Sequence, residues 1–170
     1  MSKIYFKETQ KFRQWWILVI LLIVLCIWLW GIIQQIVFEI PFGNNPISDL
    51  GLVLIGIIVL APIVIIFRIK MISQIRRDGI WYKMYPLTTY KKIRPEEVKN
   101  WHIRQYNPVR EFGGWGMRFA LQRGKGKAIN LSSRNGLQLE LKSGKKLLIG
   151  TQNPEKMKEA MEKMFKPNKL

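Results

Sequence analysis

Two stretches without a charged residue govern what this chain can fold into: nineteen residues from Trp15 to Ile33 and eighteen from Leu50 to Phe67. A helix rises about 1.5 Å per residue, so each run nearly matches a hydrocarbon core about 30 Å thick. Only sixteen residues separate the two runs, and a soluble protein holding both would have little polar face left to meet water. The first run follows Lys3, Lys7, Lys11 and Arg13, as the apolar stretch of a signal peptide would. It is longer than the usual stretch of about 7 to 15 residues, and "GIIQQIVFEIPF" offers no small-residue cleavage site. The sequence therefore predicts a retained pair of transmembrane helices, at 15–36 and 50–70, joined by a short outside loop at 37–49.

Charge gives this hairpin a direction. Residues 1–14 carry four Lys or Arg and one Glu, the connecting segment carries only Glu39 and Asp49, and from Arg68 onward there are 24 bases against 8 acids. Nearly all of the formal charge of +17 therefore follows the second run. The bias of Lys and Arg toward the cytoplasm assigns both termini to that side, as expected for a multi-pass protein of a cell (inner) membrane. Trp15 and Trp16 at one end of the first run, with Trp28 and Trp30 near the other, fit two interfacial belts. Pro62 inside the second run is tolerable in a membrane helix. The lone Cys26 lies mid-span and excludes both an intramolecular disulfide and a cysteine metal cluster.

Beyond the second run the pattern changes to period-two alternation. "GIWYKMY" sets Ile80, Tyr82 and Met84 against Trp81, Lys83 and Tyr85; "GMRFALQ" sets Met117, Phe119 and Leu121 on one face; "GLQLELK" opposes Leu137, Leu139 and Leu141 to polar residues. Such alternation predicts sheets with one face on a core. Turn residues at Asp78-Gly79, Gly124 to Gly126, Asn135-Gly136 and Ser143-Gly144 bound the strands. Expected strands are 71–77, 80–85, 91–94, 98–106, 116–122, 127–131, 137–142 and 145–150, in an antiparallel meander able to curl into a sandwich or barrel. A final helix is expected after Asn153, with Pro154 and Glu155 in its first turn and Met157, Ala160, Met161, Met164 and Phe165 at helical spacing.

Three stretches carry a likeness: "RIKMISQIRRDGIWYKMYP" (68–86), "YNPVREFGGWGMRFAL" (106–121) and "NGLQLELKSGKKLLIGTQNPEKMKEAM" (135–161). With the two apolar runs before them, they resemble uncharacterised bacterial membrane proteins in which two transmembrane helices precede a bacterial PH-like domain. The resemblance implies a membrane α-hairpin plus an all-β PH-like barrel or sandwich of about seven antiparallel strands, capped by one C-terminal helix. The basic N-terminus at 1–14 and the PH-like domain at 71–170 would both be cytosolic. That group brings no activity with it.

Nothing in the residues adds one. Gly113, Gly114, Trp115 and Gly116 form a "GGWG" cluster that matches neither a dinucleotide-binding nor a P-loop spacing, and an alternating strand follows it. Its expected role is structural: a bulge or positive φ at the entrance to a strand, with Trp115 packed over the gap. The only histidine, His102, has no Ser, Cys or Asp motif to make it a general base, and no carboxylate pair stands out. No catalytic, metal or cofactor residues are assigned, and a non-enzymatic role is expected.

What remains is the basic surplus. Lys91, Lys92, Arg94, Arg123, Lys125, Lys127, Lys145 and Lys146 fall in or beside expected loops and are the candidates for contact with anionic lipid head groups or an acidic protein partner. Nucleic acid is disfavoured because no exposed set of base-stacking aromatics is evident. The sequence thus points to a membrane-anchored binding or scaffolding module; the alternative is an accessory or regulatory subunit of a membrane enzyme or transporter complex.

Overall fold

The computed structural model describes residues 2–12, 14–120, 124 and 126–166. The chain divides into two compact units, one of residues 14–68 and one formed jointly by residues 1–13 and 69–170.

The first unit is a helical hairpin. Helix α1 (Trp15–Ile32) continues as a π-helical turn, Ile33–Val37, and helix α2 (Asp49–Arg68) contains Pro62. Both helices are long and apolar enough to cross a membrane, with mean hydropathies of 3.0 for Trp15–Val37 and 3.2 for Asp49–Arg68. They pack where Gly56 leaves room for the Trp28 ring, whose Nε1 donates to the Leu52 carbonyl at 3.0 Å. Gln35 ties the connecting loop together by donating to the Ile47 carbonyl at 2.8 Å and to Asp49 Oδ1 at 2.7 Å.

The second unit contains nine strands among the described residues. Strands β1 (Ile4–Lys11), β2 (Lys70–Arg76), β3 (Gly79–Tyr85) and β4 (Lys91–Ile93) form an antiparallel sheet in that order. Strands β5 (Val98–Gln105), β6 (Gly116–Phe119), β7 (Lys127–Asn130), β8 (Asn135–Leu141) and β9 (Lys146–Thr151) form a second sheet in the order β5-β8-β9-β7-β6. Two short helices, α3 (Pro108–Phe112) and α4 (Pro154–Phe165), complete it. One core joins the sheets, with Ile75, Ile80 and Met84 from the first, Leu137, Leu139 and Ile149 from the second, and Met157, Ala160 and Met161 of α4. The i, i+3, i+4 spacing of those last three is what buries one stripe of α4.

Eight of the nine strands and α4 lie where alternation and helical spacing put them. The segment read as a basic N-terminal tail instead supplies β1, paired with β2 from Ile4↔Arg76 to Lys11↔Lys70. The meander is also broken: β9 lies between β8 and β7 and runs parallel to β7, with Ala128 opposite Leu148. Asn135-Gly136, expected as a hairpin turn, opens β8 opposite Thr151 and Gly150. A side chain at Gly136 would meet Leu148 Cδ2 at 2.9 Å, so this glycine serves close packing. Phe119, expected on the inward face, is 76% exposed because β6 is the outer strand of its sheet.

A basic and aromatic sheet face as the candidate functional site

Successive residues of a strand point to opposite faces, so Trp81, Lys83 and Tyr85 share the side of the first sheet away from Ile80 and Met84. The register sets Gln74 of β2 and Lys92 of β4 on either side of Trp81, and Lys70 opposite Tyr85. Two cations converge on the indole, with Arg76 Cζ and Lys92 Nζ each 5.0 Å from its centroid. Tyr90 meets the same ring edge-on, at 6.3 Å between centroids and 78° between planes. Lys83 Nζ lies 4.4 Å from the Tyr90 ring and 5.9 Å from that of Tyr85.

Polar contacts fix this arrangement. Gln74 donates from Nε2 to the Tyr90 hydroxyl at 3.3 Å, while its Oε1 accepts from Arg76 Nε at 2.8 Å. Lys92 donates to Asp78 Oδ2 at 2.6 Å. That bond, reinforced by one from Ser2, lowers the Asp78 carboxyl to about 2. Asp78 is therefore an anion at any physiological pH, and it offsets one of the three cations contributed by Arg76, Lys83 and Lys92. Cations over aromatic rings keep their charge while losing conformational freedom. Such a face is chemically suited to hold anions.

The candidate bases do not form one cluster. Lys92 belongs to this face, Lys91 is exposed beside it on β4 opposite Tyr82, and exposed Arg94 follows, its N–H donating to Glu97 Oε2 at 2.9 Å. Lys127, Lys145 and Lys146 lie on the other sheet, at the start of β7 and around the β8–β9 turn. There Lys146 pairs with Glu140 at 3.1 Å, and Lys127 Nζ lies 5.4 Å from the exposed Phe119 ring. Arg123 and Lys125 lie outside the described residues. The sequence supplied the bases of β4 but missed Arg76, Trp81, Lys83 and Tyr90. The available signal was the alternation of "WYKMY", which identifies an outward face without naming its neighbours.

The "GGWG" cluster follows a short helix and leads into β6. Asn107 caps α3, its Oδ1 accepting from the N–H groups of Val109 and Arg110 at 3.1 Å, and Pro108 takes the first helical position. Gly113, in the left-handed region at φ 70°, ends the helix with its N–H on the carbonyls of Pro108 and Val109. Gly114 and Gly116 follow at φ 129° and 105°, and Trp115 is half-buried. Positive φ was expected; the helix that it terminates was not.

Elsewhere in this unit, β1 and α4 border a groove of about 430 Å³ lined by Tyr5, Lys7, Asn153, Lys156, Glu159 and Lys163. Among the described residues no three His, Cys, Asp or Glu side chains gather as a metal site would require. His102 is exposed on β5. Compared with known families, residues 2–165 match the model described as "Family of unknown function (DUF6141)". No curated protein and no solved structure matches the chain.

Proposed function

The chain belongs to this family of unknown function, and on that premise we propose that it is a membrane-anchored binding module. In this proposal α1 and α2 span a bacterial inner membrane and hold a PH-like β-unit at its cytoplasmic side. There the basic and aromatic sheet face engages anionic lipid head groups. The observation that carries the proposal is the concentration of Arg76, Lys83 and Lys92 on one face of three neighbouring strands, with exposed Lys91 at its edge, against one facing acid among the described residues, Asp78. An anionic leaflet attracts each nearby Lys or Arg by about 1 kcal/mol. Since two spans already anchor the chain, that attraction orients the β-unit and gathers acidic lipid around it.

The full chain, purified in mild detergent and offered phosphatidylglycerol and phosphatidylcholine together, is expected to retain the anionic lipid in native mass spectra. The triple variant Lys83→Gln, Lys91→Gln, Lys92→Gln is expected to lose most of that preference. No preference, or one unchanged in the triple variant, would overturn head-group binding and favour an acidic protein surface, which in-membrane crosslinking would capture. A reporter fused after Leu170 that works only outside the cytoplasm would overturn the topology.

A further inference from the structure

We infer that the β3–β4 hairpin tip, Tyr85 to Tyr90, is a membrane-dipping wedge that seats Tyr85 and Leu87 in the interfacial layer of the bilayer crossed by α1 and α2. The inference rests on the spanning assignment made above but does not need head-group selectivity.

The covalent chain supplies the first support. Ile69 alone separates Arg68, the last residue of α2, from Lys70, the first of β2. Two residue steps reach at most about 7 Å. Lys70 is the cross-strand partner of Tyr85, and neighbouring strands are about 5 Å apart. The strand end that bears the tip is therefore one short covalent link from the last residue of α2. Head-group layers add roughly 5 to 8 Å on each side of the hydrocarbon, a depth that this short link allows the tip to reach.

The second support is the composition and stiffness of the tip. Tyr85, Leu87 and Tyr90 are 47%, 60% and 39% exposed, and "YPLTTY" contains no charge. The exposure is built in: the Thr88 N–H donates to the Met84 carbonyl at 2.7 Å, and the Met84 N–H donates to Thr88 Oγ1 at 2.9 Å. This closed turn presents Leu87 outward with no core position to occupy. Tyrosine beside an aliphatic residue is the composition favoured at interfaces. Lys83, against the Tyr85 and Tyr90 rings, and Lys91, next to Tyr90, flank the tip, and no acid occurs from Gly79 to Arg94. Lysines so placed can keep their stems along the apolar wedge and their ammonium groups among phosphates.

The test uses the full chain with Cys26→Ala, so that Leu87→Cys or, as a control at the exposed β8–β9 turn, Ser143→Cys carries the only thiol. Each is labelled with an environment-sensitive fluorophore and reconstituted into vesicles of phosphatidylcholine alone and of phosphatidylcholine with phosphatidylglycerol. Lipids spin-labelled near the head group serve as quenchers. The label at 87 is expected to be blue-shifted and quenched several-fold more than the label at 143 in both compositions, because apolar transfer does not require anionic lipid. A label at 87 as wet and as weakly quenched as that at 143 in the neutral vesicles would overturn the wedge. Lipid retention in native mass spectra reads head-group binding separately, so either proposal can fail alone.

Discussion

Glu8 accepts the Thr151 hydroxyl at 2.7 Å across 143 residues of sequence, and this bond locks the first strand of the chain to the end of the last. The carboxylate is almost fully buried and also accepts from the Gln152 N–H at 2.9 Å and from Gln10 Nε2 at 2.6 Å. Glu8→Ala leaves these donors facing a gap. Buried donors without partners cost about 1–3 kcal/mol, and that is the loss expected in urea unfolding of the full chain in micelles. A loss under about 0.5 kcal/mol, typical of a surface change, would show that β1 is not held in this way.

Lys11 and Lys70 are cross-strand partners, so residues 14–68 leave and re-enter the chain at the end of one β1–β2 ladder. Replacing residues 13–68 with a short Asn/Gly-rich turn should therefore convert the pair into an ordinary hairpin. The expected product is a soluble monomer with a β-rich circular dichroism spectrum. A fragment of residues 73–170 lacks β1 and exposes a long strand edge. Size-exclusion chromatography is expected to find it aggregated.

Much of this architecture was legible because it is local. Alternation in "GIWYKMY" and "GLQLELK" marks strands whatever they pair with, and the Met157, Ala160, Met161 stripe marks α4. β1 was hidden because its inward residues are Phe6, Glu8 and Gln10, and the last two become acceptable in a core only through Thr151, Gln152 and the Gly150 carbonyl, to which Gln10 donates at 2.8 Å. The parallel β7–β9 pair was hidden because alternation does not identify a neighbour. The candidate face failed to appear for the same reason: Lys92 could be read as an exposed base, but its position over Trp81 depends on β3–β4 register. "NPVREFGG" did contain a cap, a first-turn proline and a terminator, in a helix too short for periodicity.

Gly150 is required by its neighbours. An added Cβ would press on Ser133 Oγ and come within 2.8 Å of Asn130 Cβ and 3.1 Å of the Tyr106 hydroxyl. Gly150→Ala is expected to cost about 1–3 kcal/mol through overpacking. Ser133→Ala removes one of the three contacts, so the double variant should lose less than the two single losses added together. Simple additivity in urea unfolding would refute the shared contact.

Tyr106 is buried against Phe112, and burial raises its hydroxyl above the ordinary value of 10, with the bond to Ser133 partly opposing the shift. The unfolded chain then ionises this group at a lower pH than the folded chain does. Stability associated with the neutral hydroxyl is present below pH 10 and lost as pH rises beyond it. Tyr106→Phe should cost about 1 kcal/mol at pH 7 through the lost hydrogen bond. That deficit is expected to shrink as pH rises above 10, as followed by thermal melting at each pH.

Gly113 and Gly114 should respond differently to the same substitutions. Gly113 at φ 70° occupies the left-handed region that asparagine also visits, whereas Gly114 at φ 129° lies beyond it. Neither objection is one of space at Gly114, where an added Cβ would meet nothing within 4 Å. Gly113→Ala is expected to cost about 1–2 kcal/mol from left-handed strain, and Gly113→Asn clearly less. Gly114→Ala and Gly114→Asn should be similarly damaging, because a side chain that tolerates the left-handed helix gives no relief there. Urea unfolding of the four variants measures this directly. Equal losses for Ala and Asn at Gly113 would mean that its N–H bonds to Pro108 and Val109, rather than its φ, end the helix.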